Sequence, residues 1–162
     1  MTGAAVVLVP GLGLDARSWR AVRSLLAEPS AVLTLPTLGL PAGSGAGLSV
    51  EDQAARLQGL LPDRGGLVLV GHSAGCSVVV EAARRTDRVR GLVLVGPTTD
   101  PAAATWPRIA RQWLRAASRE RLWEVGVLAP QYSATGVRSM LRGMDEMRHY
   151  RTDVGHCAEL LF

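Results

Sequence analysis

The stretch that most constrains this chain is residues 67–81, where an apolar run leads through Gly71-His72-Ser73-Ala74-Gly75 into a segment that can form a helix. The run 67–70 predicts a buried strand, and residues 76–85 follow as the helix. The result is a G-x-S-x-G pattern between a strand and a helix, which is the context that this pattern requires. The alternative is a chance turn.

The two glycines of this turn have a mechanical role. A strand that turns sharply into a helix crowds its own backbone, and Gly71 and Gly75 relieve the crowding because they have no Cβ. Such a turn leaves the Ser73 hydroxyl exposed at its tip. The start of the helix offers backbone N–H groups, that of Ala74 first, to a negative charge forming nearby. The pattern therefore predicts Ser73 as a nucleophile.

Strands and helices alternate over the first hundred residues. Strands are predicted over 4–9, 31–35, 67–70 and 91–95, with helices ending near residues 28, 61 and 85 and a Pro-, Gly- and Ser-rich loop over 36–48. This alternation predicts an α/β fold, in which a parallel sheet of about four strands has helices on both faces.

After Asp100 the pattern becomes helical, over 102–118, 119–128 and 133–148. These helices either fold onto the sheet or form a lid over a hydrophobic acyl pocket. We expect a core over 1–100, a helical cap over 101–150 and a C-terminal tail over 151–162.

Composition narrows the possible partners. The formal charge of +4 comes with Arg as the only cationic residue type apart from His, and no zinc-finger or RNA-recognition pattern favours nucleic acid. No apolar run approaches the roughly 18 residues of a membrane span, and no leader is evident, so we expect a cytoplasmic protein.

The two cysteines, Cys76 and Cys157, indicate neither a disulfide framework nor a zinc site. Ala16 breaks the dinucleotide-binding pattern that Gly11 and Gly13 begin, so no cofactor is expected.

The turn around Ser73, the turn Pro10-Gly11-Leu12-Gly13 and the element order resemble the α/β-hydrolase superfamily over about residues 4 to 150. A Trp follows the first turn, and the stretch 96–101 before a helical cap looks like that of cofactor-free bacterial esterases and C–C hydrolases. Pro10 stands where the superfamily usually has His.

The resemblance implies that strand one lies between strands two and three, with a crevice at the carboxyl ends of the strands. It also implies that the N–H groups of Leu12 and Ala74 converge as an oxyanion hole, worth about 3 kcal/mol per donor in the transition state.

The chain departs from the superfamily pattern near its end. Members usually continue with two more strands, which carry an Asp and a His, and a closing helix; here no fifth strand is visible. Gly155-His156 resembles the Gly-His of the base loop, so the fold looks incomplete, and either the chain is truncated or the base is displaced.

Three histidines are candidates for the general base that Ser73 needs. His156 is the best of them; His72 is more typical of a packing residue and His149 of a helix-end cation. The orienting acid is less clear. Asp100 follows strand four, a place that a minority of the superfamily uses, but Asp100-Pro101 is also a common helix start.

These residues predict a serine hydrolase, esterase- or thioesterase-like, that acts on a small acyl or ester substrate through an acyl-enzyme on Ser73. The alternatives are a hydrolase-derived binding protein with weak or no turnover, and an acyltransferase. We expect His156 to lie beyond hydrogen-bond distance of Ser73 and ester hydrolysis to be weak. If strand four lacks a neighbour, we expect self-association through its edge unless cap helices cover it.

Overall fold

The sheet is parallel and places the strand that precedes Ser73 at its centre. The computed structural model describes residues 5–97, 136–147 and 150, with isolated positions at 105, 107, 108, 111 and 115. Its elements are β1 (Val6–Val9), a 3-10 helix (Ala16–Trp19), α1 (Arg20–Leu25), β2 (Ser30–Val32), β3 (Leu35–Pro36), β4 (Gly39–Leu40), α2 (Val50–Leu60), β5 (Leu67–His72), α3 (Ala74–Ala83), β6 (Val89–Val95) and α4 (Val137–Met147).

The main sheet has the order β2-β1-β5-β6, with every pair parallel. Val9 is opposite Gly71, and His72 is opposite Val95, so β1, β5 and β6 end at the same edge. The expected order, with strand one between strands two and three, is confirmed. The loops that follow these strands therefore emerge side by side.

The two faces of the sheet carry separate apolar clusters because successive side chains of a strand point in opposite directions. Val7 and Val9 of β1 lie in the larger cluster, which α2 and α3 cover. Val6 and Leu8 face the other way and pack in a smaller cluster with Trp19 and Val70. Helices α2 and α3 thus cover one face, and Trp19 of the 3-10 helix packs on the other, in agreement with the predicted α/β fold.

Some element boundaries differ from the predicted ones. Helix α1 ends at Leu25 because Leu26 is extended and packs on the smaller cluster. The second strand ends at Val32, and Leu35–Pro36 instead pairs with Gly39–Leu40 inside the predicted loop. The reason is burial: Leu35 and Leu38 are both buried and are joined by two backbone hydrogen bonds, so the chain turns inward here.

Side chains of α4 satisfy the backbone of the 36–48 segment. Ser139 Oγ accepts from the Ala42 N–H at 3.1 Å, and Glu146 accepts from the Leu48 N–H at 2.9 Å. Arg142 donates to the carbonyls of Gly43 and Ala46. Because loop groups seldom stay unpaired when they are shielded from water, α4 is needed to hold this segment in place.

The predicted helices over 102–118 and 119–128 lie outside the described residues apart from isolated positions, and so does the tail from 151 to 162. The division into core, cap and tail stays a prediction. Among the helices that the structure describes, none combines the length and the apolar character needed to cross a membrane.

Strand β6 forms one edge of the sheet in the described part of the chain. Val93 and Val95 on this strand are 47% and 42% exposed, on the face opposite the larger cluster. Exposed apolar edge strands favour pairing with other chains. Self-association through β6 stays a prediction.

A buried carboxylate joins α3 to the segment after α4. The Tyr150 hydroxyl donates to Glu81 at 2.6 Å, and Arg85 donates to the other oxygen of the same carboxylate at 2.8 Å. Burial acts to raise the pKa of Glu81, but the hydrogen bonds from Tyr150 and Arg85 and the nearby Arg charges outweigh it and lower the pKa below its usual value. The ionised carboxylate therefore stabilises the folded state.

Helix α2 provides a matched pair of leucines that tests the larger cluster. Leu57 is fully buried, whereas Leu60 is 52% exposed on the same helix. We expect Leu57→Ala to lower the free energy of unfolding by about 2–5 kcal/mol, because it removes packed methyl groups and leaves a cavity. Leu60→Ala should change it by less than about 0.5 kcal/mol in the same denaturant titration. Equal losses would contradict this assignment of the core.

The Glu81 contacts predict a pH dependence of stability. A carboxylate whose pKa is lowered on folding stabilises the protein above its unfolded-state pKa, which is near the ordinary Glu value of 4.5, and the effect is lost as the pH falls through the folded-state pKa. We therefore expect Glu81→Gln to lose less unfolding free energy than the parent between pH 6 and pH 3. Glu28→Gln, at an exposed position, is the control and should follow the parent.

Candidate active site

Ser73 adopts a strained backbone conformation at the junction of β5 and α3. Its φ of 52° and ψ of −122° lie in a region that residues with a side chain rarely occupy, at a cost of about 1–3 kcal/mol. Two backbone hydrogen bonds hold it there: its N–H donates to Val95 at 2.9 Å, and its carbonyl accepts from Cys76 at 3.0 Å. Strain of this kind concentrates at functional sites.

The two glycines of the turn have the role expected of them. A Cβ on Gly71 would lie 2.7 Å from the Gly75 carbonyl oxygen and 2.7 Å from the Cys76 Cα. A Cβ on Gly75 would lie 2.7 Å from the Pro10 carbonyl oxygen and 3.1 Å from that of Val9. Gly71 thus lets the turn close on itself, and Gly75 lets α3 approach the end of β1.

The turn after β1 lies directly against Ser73. A Cβ on Gly11 would lie 2.8 Å from His72 Nδ1 and 3.2 Å from Ser73 Cβ. The turn is closed by the Leu14 N–H, which donates to the Gly11 carbonyl at 3.2 Å, with a φ of 76° at Gly13. Gly11 and Gly75 therefore bring the two loops into contact from both sides.

The N–H groups of Leu12 and Ala74 belong to these two loops. Within the described residues, neither N–H makes a hydrogen bond. Ala74 is the first residue of α3, and the first N–H groups of a helix have no partner within the helix. Such donors can bind an oxygen that gains negative charge.

His72 packs against the ring of Trp19, whereas the sequence predicted a packing or pocket-lining residue without naming a partner. The two ring centroids are 6.4 Å apart with an interplanar angle of 89°, an edge-to-face arrangement. Burial lowers the pKa of His72, so its imidazole is neutral at pH 7. The same ring lies against Gly11, where an added Cβ would be 2.8 Å from Nδ1.

Cys76 fills the space behind the turn. Its Sγ lies 3.1 Å from the Gly71 carbonyl oxygen and 3.5 Å from that of Val95, so it contacts both β5 and β6. Burial raises the pKa of this thiol to about 11. The prediction of a small buried residue at this position is confirmed.

The other candidates cannot be placed. Asp100, His149 and His156 lie outside the described residues.

One residue near the site was not singled out from the sequence: Thr37. Its φ is 68°, and its carbonyl accepts from the Gly13 N–H at 3.1 Å. The available signal was the Pro36-Thr37-Leu38-Gly39 run, since Pro and Gly at this spacing are typical of a tight turn.

The contact between Gly75 and β1 is testable. We expect Gly75→Ala to lower the free energy of unfolding by about 1–3 kcal/mol or more, because the added Cβ strikes backbone atoms that cannot rotate away. The matched control is Gly59→Ala on α2, where a Cβ meets nothing within 4 Å. That change should stabilise the protein by roughly 0.5–1 kcal/mol. Stabilisation by both changes would show that the contact is loose.

The comparisons with known proteins agree with this architecture. A family model described as "Alpha/beta hydrolase family" matches residues 6–161. An alpha/beta hydrolase family protein from Desulfitobacterium hafniense is 23% identical with a TM-score of 0.65, over 96% of this chain and 71% of that one. The N-formylmaleamic acid deformylase of Pseudomonas putida S16 is 21% identical with a TM-score of 0.66, over 96% and 69%.

A type II thioesterase of the yersiniabactin pathway is 20% identical with a TM-score of 0.55, over 94% of this chain and 68% of that one. At these identities the likeness shows the fold. No curated protein matches the sequence.

Proposed function

Because the chain belongs to the alpha/beta hydrolase family, we propose that it is a serine hydrolase that cleaves an ester or thioester through an acyl-enzyme on Ser73. The observation that carries the proposal is the strained Ser73 at the β5–α3 turn, with two N–H groups nearby that make no hydrogen bond among the described residues. Strain at a polar residue in a sharp strand-to-helix turn is what presentation of a nucleophile requires.

The first step is attack of Ser73 Oγ on the carbonyl carbon of the substrate, while a general base takes the hydroxyl proton. The carbonyl oxygen becomes an oxyanion, and the N–H groups of Leu12 and Ala74 donate to it. Each donor contributes about 3 kcal/mol to the transition state. The intermediate then expels the alcohol or thiol, which takes the proton from the base and leaves an acyl ester on Ser73.

Water completes the cycle by the same route: the base takes a proton from water as the water oxygen attacks the acyl ester, and the intermediate then expels Ser73 Oγ, which takes that proton back from the base as the carboxylic acid leaves. We propose His156 as the base and Asp100 as the orienting acid; whether His156 reaches Ser73, against the expectation above that it lies beyond hydrogen-bond distance, is what the His156→Ala variant tests. Both assignments rest on the sequence. An alcohol or amine in place of water would make the same acyl-enzyme a transferase intermediate.

The family and the solved structures that share the fold support an acyl substrate for this proposal. The solved structures that share the fold include a protein named as an N-formylmaleamic acid deformylase and one named as a type II thioesterase. The proposed oxyanion donors would bind the carbonyl oxygen of any acyl group. They are therefore compatible with a small ester or thioester. Fold does not fix the substrate, so the acyl group stays open.

Labelling with a fluorophosphonate probe tests the proposal. We expect the parent chain to be labelled and Ser73→Ala to be unlabelled, because the probe reacts with an activated serine hydroxyl. Ester hydrolysis by Ser73→Ala should fall by at least about 10³-fold. Ser24→Ala removes an exposed hydroxyl on α1 and is the matched control, which should be labelled like the parent.

Labelling that persists in Ser73→Ala, or a parent that is not labelled, would contradict the proposal. The assignment of the base is tested separately with His156→Ala, which should abolish most hydrolysis if His156 moves the proton. Adding an alcohol acceptor and measuring ester formation beside acid release separates transfer from hydrolysis.

A further inference from the structure

Thr37 is held in an unfavourable state for which neither the fold nor the proposed chemistry accounts. Its φ of 68° is strained for a β-branched residue, and its side chain is completely buried. Its hydroxyl oxygen has no hydrogen-bond partner in the described structure. A buried polar group without a partner and a strained backbone both cost stability, and their coincidence at one residue points to function.

The backbone of Thr37 is attached to the turn that carries Leu12. Its N–H donates to the Leu40 carbonyl at 2.7 Å, and its carbonyl accepts from the Gly13 N–H at 3.1 Å. Because Gly13 directly follows Leu12, the Thr37 carbonyl restrains the peptide group next to the candidate oxyanion donor. Gln53 of α2 restrains Thr37 in turn, since it donates to the Pro36 carbonyl at 2.7 Å.

Helix α4 contacts both residues through a glycine. A Cβ on Gly143 would lie 2.6 Å from Thr37 Oγ1, 2.9 Å from Thr37 Cβ and 3.0 Å from Leu12 Cδ2. Only the bare Cα of Gly143 lets the helix come this close. The buried Gly143 therefore lies against Thr37 and against the Leu12 side chain at the same time.

Polar contacts on the same face of α4 fix this approach. Ser139 and Glu146 are four residues before and three residues after Gly143, so all three share one face of the helix. Ser139 accepts from the Ala42 N–H and Glu146 from the Leu48 N–H. The 36–48 segment is thus held to α4 on both sides of the glycine contact.

We infer that Gly143 and Thr37 are positioning residues for the Leu12 turn, so that α4 must be docked for the Leu12 N–H to receive an oxyanion. The inference rests on the proposed function for its catalytic consequence. Its structural content is independent of activity: displacing α4 at Gly143 moves the Leu12 turn through Thr37. The strained state of Thr37 persists because α4, β4 and the Leu12 turn all hold it.

Four variants of the whole chain test this: Gly143→Ala, Thr37→Gly, the double variant, and Gly59→Ala as the matched helix control with nothing near its added Cβ. We expect Gly143→Ala to lower the rate of fluorophosphonate labelling of Ser73 by about tenfold, part of the 10²–10³ that loss of one oxyanion donor costs. With an ester substrate, kcat should fall and KM should change little. The Leu12 and Gly13 amide resonances should shift.

Gly59→Ala should change neither the labelling rate nor these resonances. Thr37→Gly keeps the carbonyl and adopts a positive φ readily, but it removes the side chain between α4 and the Leu12 turn, so its labelling rate should fall, by less than that of Gly143→Ala. The double variant should regain most of the rate, because the Thr37 atoms that the new Cβ would strike are gone. The melting temperature tests whether the two added Cβ atoms have opposite effects on stability. Gly59→Ala should raise the melting temperature and Gly143→Ala should lower it.

Unmoved Leu12 and Gly13 resonances in Gly143→Ala, or a double variant that recovers nothing, would overturn the inference. If Gly143→Ala does not fold, the double variant decides: restored folding and labelling support the coupling, and continued failure overturns it. A parent chain that is never labelled would defeat the proposed function, while the resonance shifts would still decide whether α4 holds the Leu12 turn.

Discussion

The close approach of α3 to the end of β1 is the constraint on which the rest of this structure depends. The backbone of Gly75 lies against the carbonyl oxygens of Val9 and Pro10, with no room for a side chain. For α3 to reach that position directly after β5, the chain must turn within one residue, and Ser73 takes the strained conformation that results. The turn after β1 is brought against Ser73 by the same approach.

The two strained residues of the described structure are held in place in the same way. Ser73 and Thr37 are the non-glycine residues with positive φ within that part of the chain, and both lie at the edge where the parallel strands end. Each is held by backbone hydrogen bonds on both its N–H and its carbonyl: Ser73 by Val95 and Cys76, and Thr37 by Leu40 and Gly13. An unfavourable conformation persists where neighbours determine it from several sides.

Sequence reasoning recovered the parts of the fold that depend on local pattern. The apolar runs of β1 and β5 predicted buried strands, and the strand-turn-helix context of Ser73 predicted the sharp turn. The strand order followed from the family resemblance, not from the residues themselves. The predicted ends of α1 and of the second strand were wrong. Leu26 packs on the smaller cluster and Leu35–Pro36 pairs with another segment, so burial overrode the local pattern.

The role of Thr37 could not be predicted, because it depends on contacts between segments about a hundred residues apart in sequence. Nothing in the 36–48 stretch indicates that a glycine on α4 will lie against it. The same holds for Glu81, which reads as an ordinary helix-surface residue until Tyr150 is placed beside it. Contacts of this range depend on how the whole chain packs, and local pattern carries no information about them.

The burial of the Cys76 thiol behind the turn determines how it reacts with alkylating reagents. With its pKa raised to about 11 by burial, the Cys76 thiol is protonated at pH 7, and the residue is 1% exposed. An alkylating reagent aimed at thiolates should therefore leave Cys76 untouched while the strands on either side of it stay closed. Modification of this sulfur would therefore report that β5, β6 and α3 have separated.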